Sequence, residues 1–183
     1  MKKLLFLAIT ASVFMSCNDS TSASSTENAD STRVLTQEEK EERNKETALA
    51  SVRSFTGETK IDSVFKDADK DVIDYGSGEM PPSKGVDSAK AGLQMWLNAV
   101  PDYKGSDFTA VADGDYVMVY GTWTGTWKNN LMGMDATRKS FKVKDVDIFK
   151  FNDEGKIIEH RGVQSMQEVA RQIGLKMPSA QKN

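Results

Sequence analysis

Past Pro101 the apolar residues stop recurring every three or four positions and begin to alternate, and this change of period restricts the fold more than any other feature. Before it, Ala48, Val52 and Phe55 recur at helical spacing until Gly57, and Ile61, Val64 and Phe65 make a second, short helix. Ala89, Leu93, Trp96, Leu97 and Val100 then share one stripe of a longer helix, ended by Pro101. After it, Phe108 to Ala112 and Tyr116 to Trp127 flank the turn signal Asp113-Gly114, and Phe141 to Phe151 and Ile157 to Gln164 flank Asn152-Asp153-Glu154-Gly155. The pattern predicts helices followed by four consecutive antiparallel strands: an α+β chain whose curved sheet wraps around the N-terminal helices. Val72 to Tyr75 predicts a brief extra strand closed by Gly76-Ser77-Gly78, and Pro81-Pro82 predicts irregular chain up to about Val86. A last helix is expected from about Met166 to Ile173, stopped by Gly174.

The first residues belong to a different physical class. Lys2 and Lys3 precede an apolar run, Leu4 to Met15, which is too short to span a bilayer that needs about 20 helical residues. Ser16-Cys17 closes the run in the manner of a bacterial lipobox, where the Cys becomes lipidated and N-terminal after cleavage. Residues 1–16 are therefore expected to be a lipoprotein signal peptide, and residues 17–43 the lipidated Cys17 and a flexible spacer. The expected location is the cell envelope, anchored by lipid after export; an ordinary signal peptide followed by a stray Cys is the alternative. From Asn18 to about Val34 the chain is Ser, Thr, Asn and Asp with hardly an apolar side chain, so burial cannot repay its ordering. Thr36 followed by Glu39 has capping-box spacing, so the charged run Gln37 to Lys45 reads as a solvated first helical turn.

Cys17 is the only cysteine, so the domain has no internal disulfide. Cleavage removes Lys2 and Lys3 from 24 basic residues and leaves all 27 acidic ones, so the exported domain is more acidic than the whole chain at −3. Such a domain has no electrostatic case for nucleic acid.

Five landmarks stand in one order: Val100-Pro101-Asp102, Ala112-Asp113-Gly114-Asp115, Gly121-Thr122-Trp123-Thr124-Gly125-Thr126, Gly155-Lys156-Ile157-Ile158-Glu159-His160, and Arg171-Gln172-Ile173-Gly174. In that order and spacing, from about Asn44 to Gly174, the chain resembles the SnoaL-like polyketide cyclases of the nuclear transport factor 2-like superfamily. The resemblance places the domain at residues 44–178. It implies a conical α+β fold, a curved sheet around a pocket for a small apolar or polycyclic molecule, and dimerisation through the open sheet face. It also exposes a departure: where the family's last strand carries a Trp and, further on, an acid/base Asp, this chain has Arg161 and Ser165. A Ser cannot take and return a proton near neutral pH as a carboxylate does, so cyclisation by the family's usual route is not expected.

Other residues remain for chemistry. If the strand Phe141 to Phe151 alternates without a bulge, Asp145 and Asp147 share the apolar face with Phe141, Val143, Phe149 and Phe151. An enclosed carboxylate has its pKa raised toward useful proton-transfer values, which makes Asp147 the first acid/base candidate. The alternative is a bulge that turns both carboxylates outward, or an ion pair with Arg161. His160, the only histidine, shares a face with Gln164 and lies opposite Arg161. In the strand Tyr116 to Lys128, Gly121 and Gly125 permit sharp curvature, but the face that lines a pocket is not legible. Tyr75, Trp96, Tyr120 and Trp123 are candidate pocket walls, with Arg161 and Gln164 as polar contacts and core packing as the competing role for Trp96. One His and one committed Cys give no metal set, Gly76-Ser77-Gly78 is too short for a phosphate loop, and no cofactor is expected. Leu131-Met132-Gly133-Met134 reads as a loop, either a lid, a dimer contact or a plain connection.

Two functional readings stay open. One is proton-transfer catalysis of isomerase, dehydratase or cyclase type, using Asp147 with His160 or Arg161. The other is a non-enzymatic ligand-binding or interaction lipoprotein that has lost the family Asp.

Overall fold

The computed structural model describes residues 33–78, 80–163 and 166–175; the signal segment, Cys17 and most of the spacer lie outside the described residues, as do Gln164 and Ser165. Helix α1 (Gln37–Arg53) opens on the capping box, with Glu39 N–H donating to Thr36 Oγ1 at 3.3 Å and Thr36 N–H to Glu39 Oε2 at 2.9 Å. The helix therefore includes residues expected in the spacer and begins upstream of Asn44, because the box satisfies its free N–H groups there. Its inner side buries Asn44, Ala48, Leu49, Ser51 and Val52. A short α2 (Ile61–Val64), β1 (Ala68–Asp74), β2 (Ser83–Lys84) and α3 (Val86–Ala99) follow. The chain then runs through β3 (Lys104–Asp113), β4 (Tyr116–Thr126), β5 (Ser140–Phe151) and β6 (Ile157–Gly162) to α4 (Met166–Ile173).

The four late strands form the expected antiparallel meander, but the sheet has six strands in the order β2-β1-β6-β5-β4-β3. Strand β1 lies parallel to β6, with Ile73 opposite Glu159 and Asp74 opposite His160. Irregular chain up to Val86 was expected from Pro81-Pro82; instead Ser83 and Lys84 already pair with Asp74 and Ile73 as an edge strand just past the two prolines. An edge position tolerates this, since β2 is bonded on one side only.

Helix α1 is fastened to both hairpin turns. Glu41 Oε1 accepts from Gly114 N–H at 3.0 Å, while Lys40 pairs with the Asp153 carboxylate at 2.9 Å and Arg43 donates to the Asp153 carbonyl at 3.3 Å. The curvature has local causes. A bulge in β3 between Ser106 and Thr109, with Asp107 at φ 56°, turns Phe108 onto Gly105 and Gly121. A Cβ at Gly121 would lie 2.6 Å from the Phe108 ring, and one at Gly125 would lie 2.3 Å from Val100 Cγ1. Val72, Val117, Val119, Trp123, Phe141, Val143, Phe149, Phe151 and Ile157 form the sheet's contribution to the core, packed with Ala48, Val52, Ala99 and Val100. Beyond the end of β6, α4 takes over the β5 edge: Gln172 accepts from Lys142 N–H at 2.8 Å and donates to its carbonyl at 3.0 Å. Among the described residues, no helix is long and apolar enough to cross a membrane.

Candidate active site

Strand β5 alternates through its whole length, paired with β4 in an unbroken register that sets Asp147 opposite Val119. Asp145 and Asp147 accordingly face inward, 9% and 8% exposed, while Lys142 and Lys144 face out. Neither the outward bulge nor a pair with Arg161 occurs. Asp145 is held by backbone, its Oδ1 accepting from Val146 N–H at 2.6 Å and Val163 N–H at 3.2 Å.

Asp147 is held by His160. The imidazole Nε2 lies 3.2 Å from Asp147 Oδ1, and Nδ1 lies 3.0 Å from Asp74 Oδ1 on the parallel neighbour β1. Phe149 packs its ring against the imidazole at 4.9 Å between centroids. Burial alone would lower the His160 pKa, but the hydrogen bonds and charges of Asp147 and Asp74 outweigh it and raise it to about 10. For Asp74, burial pushes the carboxyl up, yet the His160 hydrogen bond and charge and the Gly76 N–H hold it below the usual carboxylate range. At neutral pH, then, an imidazolium donates to one carboxylate on each side. With both ring nitrogens engaged, His160 is a fixed cation and has no nitrogen left to exchange a proton with a ligand. The available atom is Asp147 Oδ2, which is buried and has no hydrogen-bond partner.

The same inner face carries an aromatic cluster. Tyr103 stacks on Trp123 with centroids 5.1 Å apart and planes 11° apart, and Phe55, Trp96 and Phe108 meet this pair edge-on. Burial first, and then the charges of Asp147 and Asp145, push the Tyr103 hydroxyl well above its ordinary pKa, so it stays a neutral donor. Trp123 Nε1 is a second buried donor without an acceptor. Asp147 Oδ2 can accept a proton, and the Tyr103 and Trp123 donors can steady a developing negative oxygen.

Of the residues singled out from sequence, Asp147, His160, Trp96 and Trp123 come to the interior. Tyr120 does not: its parity on β4 puts it 45% exposed on the outer face, beneath Lys144 at 5.3 Å. Arg161 also faces out, lying over the Tyr75 ring at 4.4 Å, so these two meet each other. Gln164 lies outside the described residues. Asp74 and Tyr103 were not anticipated. Asp74 reaches His160 only because β1 inserts beside β6 across 86 residues of chain, which no local signal announces. Tyr103 sits between the helical and alternating stretches, where neither period assigns it a face. Among the described residues, no group of three or more His, Cys, Asp or Glu could hold a metal ion.

Two cavities open at the margins of this interior. One of about 620 Å³ is lined by Thr56, Asp102, Lys104, Thr124, Ser140 and Phe141 among others. The other, about 250 Å³, reaches Asp145 from the side of Tyr120, Lys144, Val163 and Glu168.

A profile of the SnoaL-like polyketide cyclases matches residues 46–173. No curated relative matches the chain. Among solved structures, the fold is similar to a SnoaL-like polyketide cyclase from Jannaschia sp. CCS1, with a TM-score of 0.67 and 21% identity over 75% of this chain and 95% of that one. A polyketide cyclase from Xanthomonas campestris gives a TM-score of 0.66 and 18% identity over 73% of this chain and 98% of that one. A protein with a ketosteroid isomerase-like fold from Catenulispora acidiphila, solved in complex with trimethylamine, gives 0.60 and 16% identity over 73% of this chain and 98% of that one.

Proposed function

The chain belongs to the SnoaL-like polyketide cyclase family, and from that premise we propose that its domain binds a small, largely apolar molecule on the inner face of the sheet and transfers a proton through Asp147. The observation that carries this reading is Asp147 Oδ2, a buried carboxylate oxygen without a partner on a carboxylate anchored by His160. Isomerisation, dehydration and cyclisation share the step it could perform, removal of an acidic hydrogen next to a carbonyl while donors hold the resulting oxygen. The family's Asp is replaced by Ser165, so the proton-transfer role moves from the end of the last strand to the middle of β5.

The test is deuterium incorporation. Cyclic ketones and enones are incubated with the protein in D2O and followed by NMR. Exchange beside the carbonyl that Asp147→Asn slows by about 100-fold or more supports catalysis. Binding without exchange favours the non-enzymatic alternative, a ligand-binding lipoprotein, and absence of both removes the small-molecule reading.

Export and anchoring belong to the same proposal. Lys2-Lys3, the short apolar run and Ser16-Cys17 support a lipoprotein of the cell envelope tethered by lipid at Cys17. Metabolic labelling with palmitate, lost in Cys17→Ser, checks it. Homodimerisation is proposed through the outer sheet face, where Val111, Tyr116, Met118 and Tyr120 are 44 to 61% exposed side by side.

A further inference from the structure

Where β4 ends and β5 begins, a row of polar side chains crosses the outer face of the sheet, at the far end of β4 from Tyr116. Thr56 bridges to Lys104, Lys104 pairs with Thr124 and Thr124 with Lys142, so neighbours in this row share one face. In the next pair, Thr126 and Ser140 join their hydroxyls at 3.0 Å. These residues, with Glu58 and Asp102 but without Lys142, line the cavity of about 620 Å³, to which Phe141 adds apolar surface. Asp147, Tyr103 and Trp123 do not line it, so the cavity is a place apart from the candidate base. Part of the lining is already satisfied: Asp102 accepts from Thr126 N–H at 2.8 Å and lies 3.5 Å from the Lys128 ammonium. The rest is not, since the side chains of Thr56, Glu58, Lys104 and Thr124 have no partner among the described residues.

Those four groups restrict what the cavity can hold. The free charges, Lys104 and Glu58, are one of each sign, and the two free hydroxyls both donate and accept. An apolar ligand would strip water from all four and return no hydrogen bond. An anion would meet Glu58 and Asp102, and a cation would meet Lys104. Neutral hydroxyl groups conflict with none of them, because each accepts from an ammonium or donates to a carboxylate as its position requires. We propose that this cavity is a second binding site, for a neutral saccharide, with Lys104 donating to its hydroxyls, Glu58 accepting from them, and Thr56 and Thr124 completing the contacts. The site is independent of the chemistry at Asp147.

Sugars that differ in charge test the assignment. The full chain is titrated with glucose, maltotriose and diacetylchitobiose, and with glucuronate, glucosamine and glycine as anionic, cationic and zwitterionic counterparts. The backbone amide NMR signals of Thr56, Lys104 and Thr124 are followed. At least one neutral saccharide is expected to shift them saturably and to bind more tightly than every charged probe. Thr124→Val and Glu58→Gln, which keep the shape of each side chain, are expected to weaken that binding by about three- to tenfold with the urea midpoint unchanged. Failure of all three neutral saccharides to shift these amides overturns the proposal, as does tighter binding of any charged probe. A saccharide whose affinity neither substitution alters overturns it too. Deuterium exchange on ketones should be the same in Thr124→Val as in the unaltered chain; loss of both activities together would mean one site rather than two. Absence of exchange in the unaltered chain bears on Asp147 alone.

Discussion

Strand β5 carries two chemistries back to back. Its inner side sets two consecutive carboxylates between large apolar groups, and each carboxylate has a fixed partner: backbone N–H groups for Asp145 and an imidazolium for Asp147. Its outer side holds Lys144 and Lys150 over the rings of Tyr120 and Tyr116, at 5.3 and 5.5 Å, with Thr122 and Glu159 as their respective polar partners near the surface. The difference is one of obligation. An inner charge that loses its partner stays buried and uncompensated, whereas an outer charge that loses its ring returns to solvent. Neighbouring residues on opposite faces should therefore respond very differently to the same kind of substitution.

The sharpest contrast is His160 against Arg161. His160→Gln removes the cation between Asp74 and Asp147 and is expected to cost about 3 kcal/mol. Arg161→Gln loses one exposed contact with Tyr75, worth no more than about 1 kcal/mol. Urea denaturation at neutral pH measures both, and equal losses would break the distinction between the faces. Next comes Gly125→Ala. Its added methyl would fall 2.3 Å from Val100 Cγ1 and 3.2 Å from Phe141 Cζ, so about 1 to 3 kcal/mol of overpacking is expected, while Thr124→Ala next to it should change the urea midpoint little.

How much of this contrast could be read from the chain alone varies from strand to strand. Alternation in β5 places Asp145 and Asp147 inside as soon as no bulge interrupts it, and the β4 pairing confirms that none does. The meander is legible for the same reason, since turn residues and period are local properties. Tyr120 shows the limit: β4 has two faces of similar apolarity, Val117, Val119 and Trp123 against Tyr116, Met118 and Tyr120, and composition does not choose between them. What chooses is the set of close approaches at Gly121 and Gly125, where Phe108 and Val100 occupy the space of a side chain. Phe108 gets there through a bulge at Asp107, where Gly105-Ser106-Asp107 marks irregular chain without fixing the face that Phe108 takes. The partner of His160 was hidden more deeply, because a parallel pairing between β1 and β6 is a property of the assembled sheet.

The imidazolium bridge also fixes a pH dependence. The His160 pKa rises from its unfolded value near 6.5 to about 10 in the folded chain, so its contribution is complete below about 6.5 and is lost as pH climbs through about 10. The folded pKa of Asp74 is depressed, so its contribution is present above about 3.8 and lost as pH falls through the lower folded value. Both contributions are full only between about pH 4 and 6.5. The stability difference between the unaltered chain and His160→Gln is expected to be largest there and to narrow by about 1 to 3 kcal/mol toward pH 10. A difference that stays constant across this range would mean that His160 is neutral in the folded chain, and the inner face would then carry still more uncompensated charge.

The smallest effect on folding is expected on the outer face, and it is informative for that reason. Met118 is 46% exposed and sits opposite Val111 and Ile148, so Met118→Lys removes little buried surface from a single chain and should leave its urea midpoint unchanged. If two copies meet through this face, however, the lysines enter an interface that is apolar at its centre, next to their own symmetry mates. Mass in solution should then fall from that of a pair to that of one chain with no change in the fold's own stability. A substitution that lowers the midpoint without altering the mass would show instead that this face is coupled to the core, and that the two sides of the sheet are less independent than their chemistry suggests.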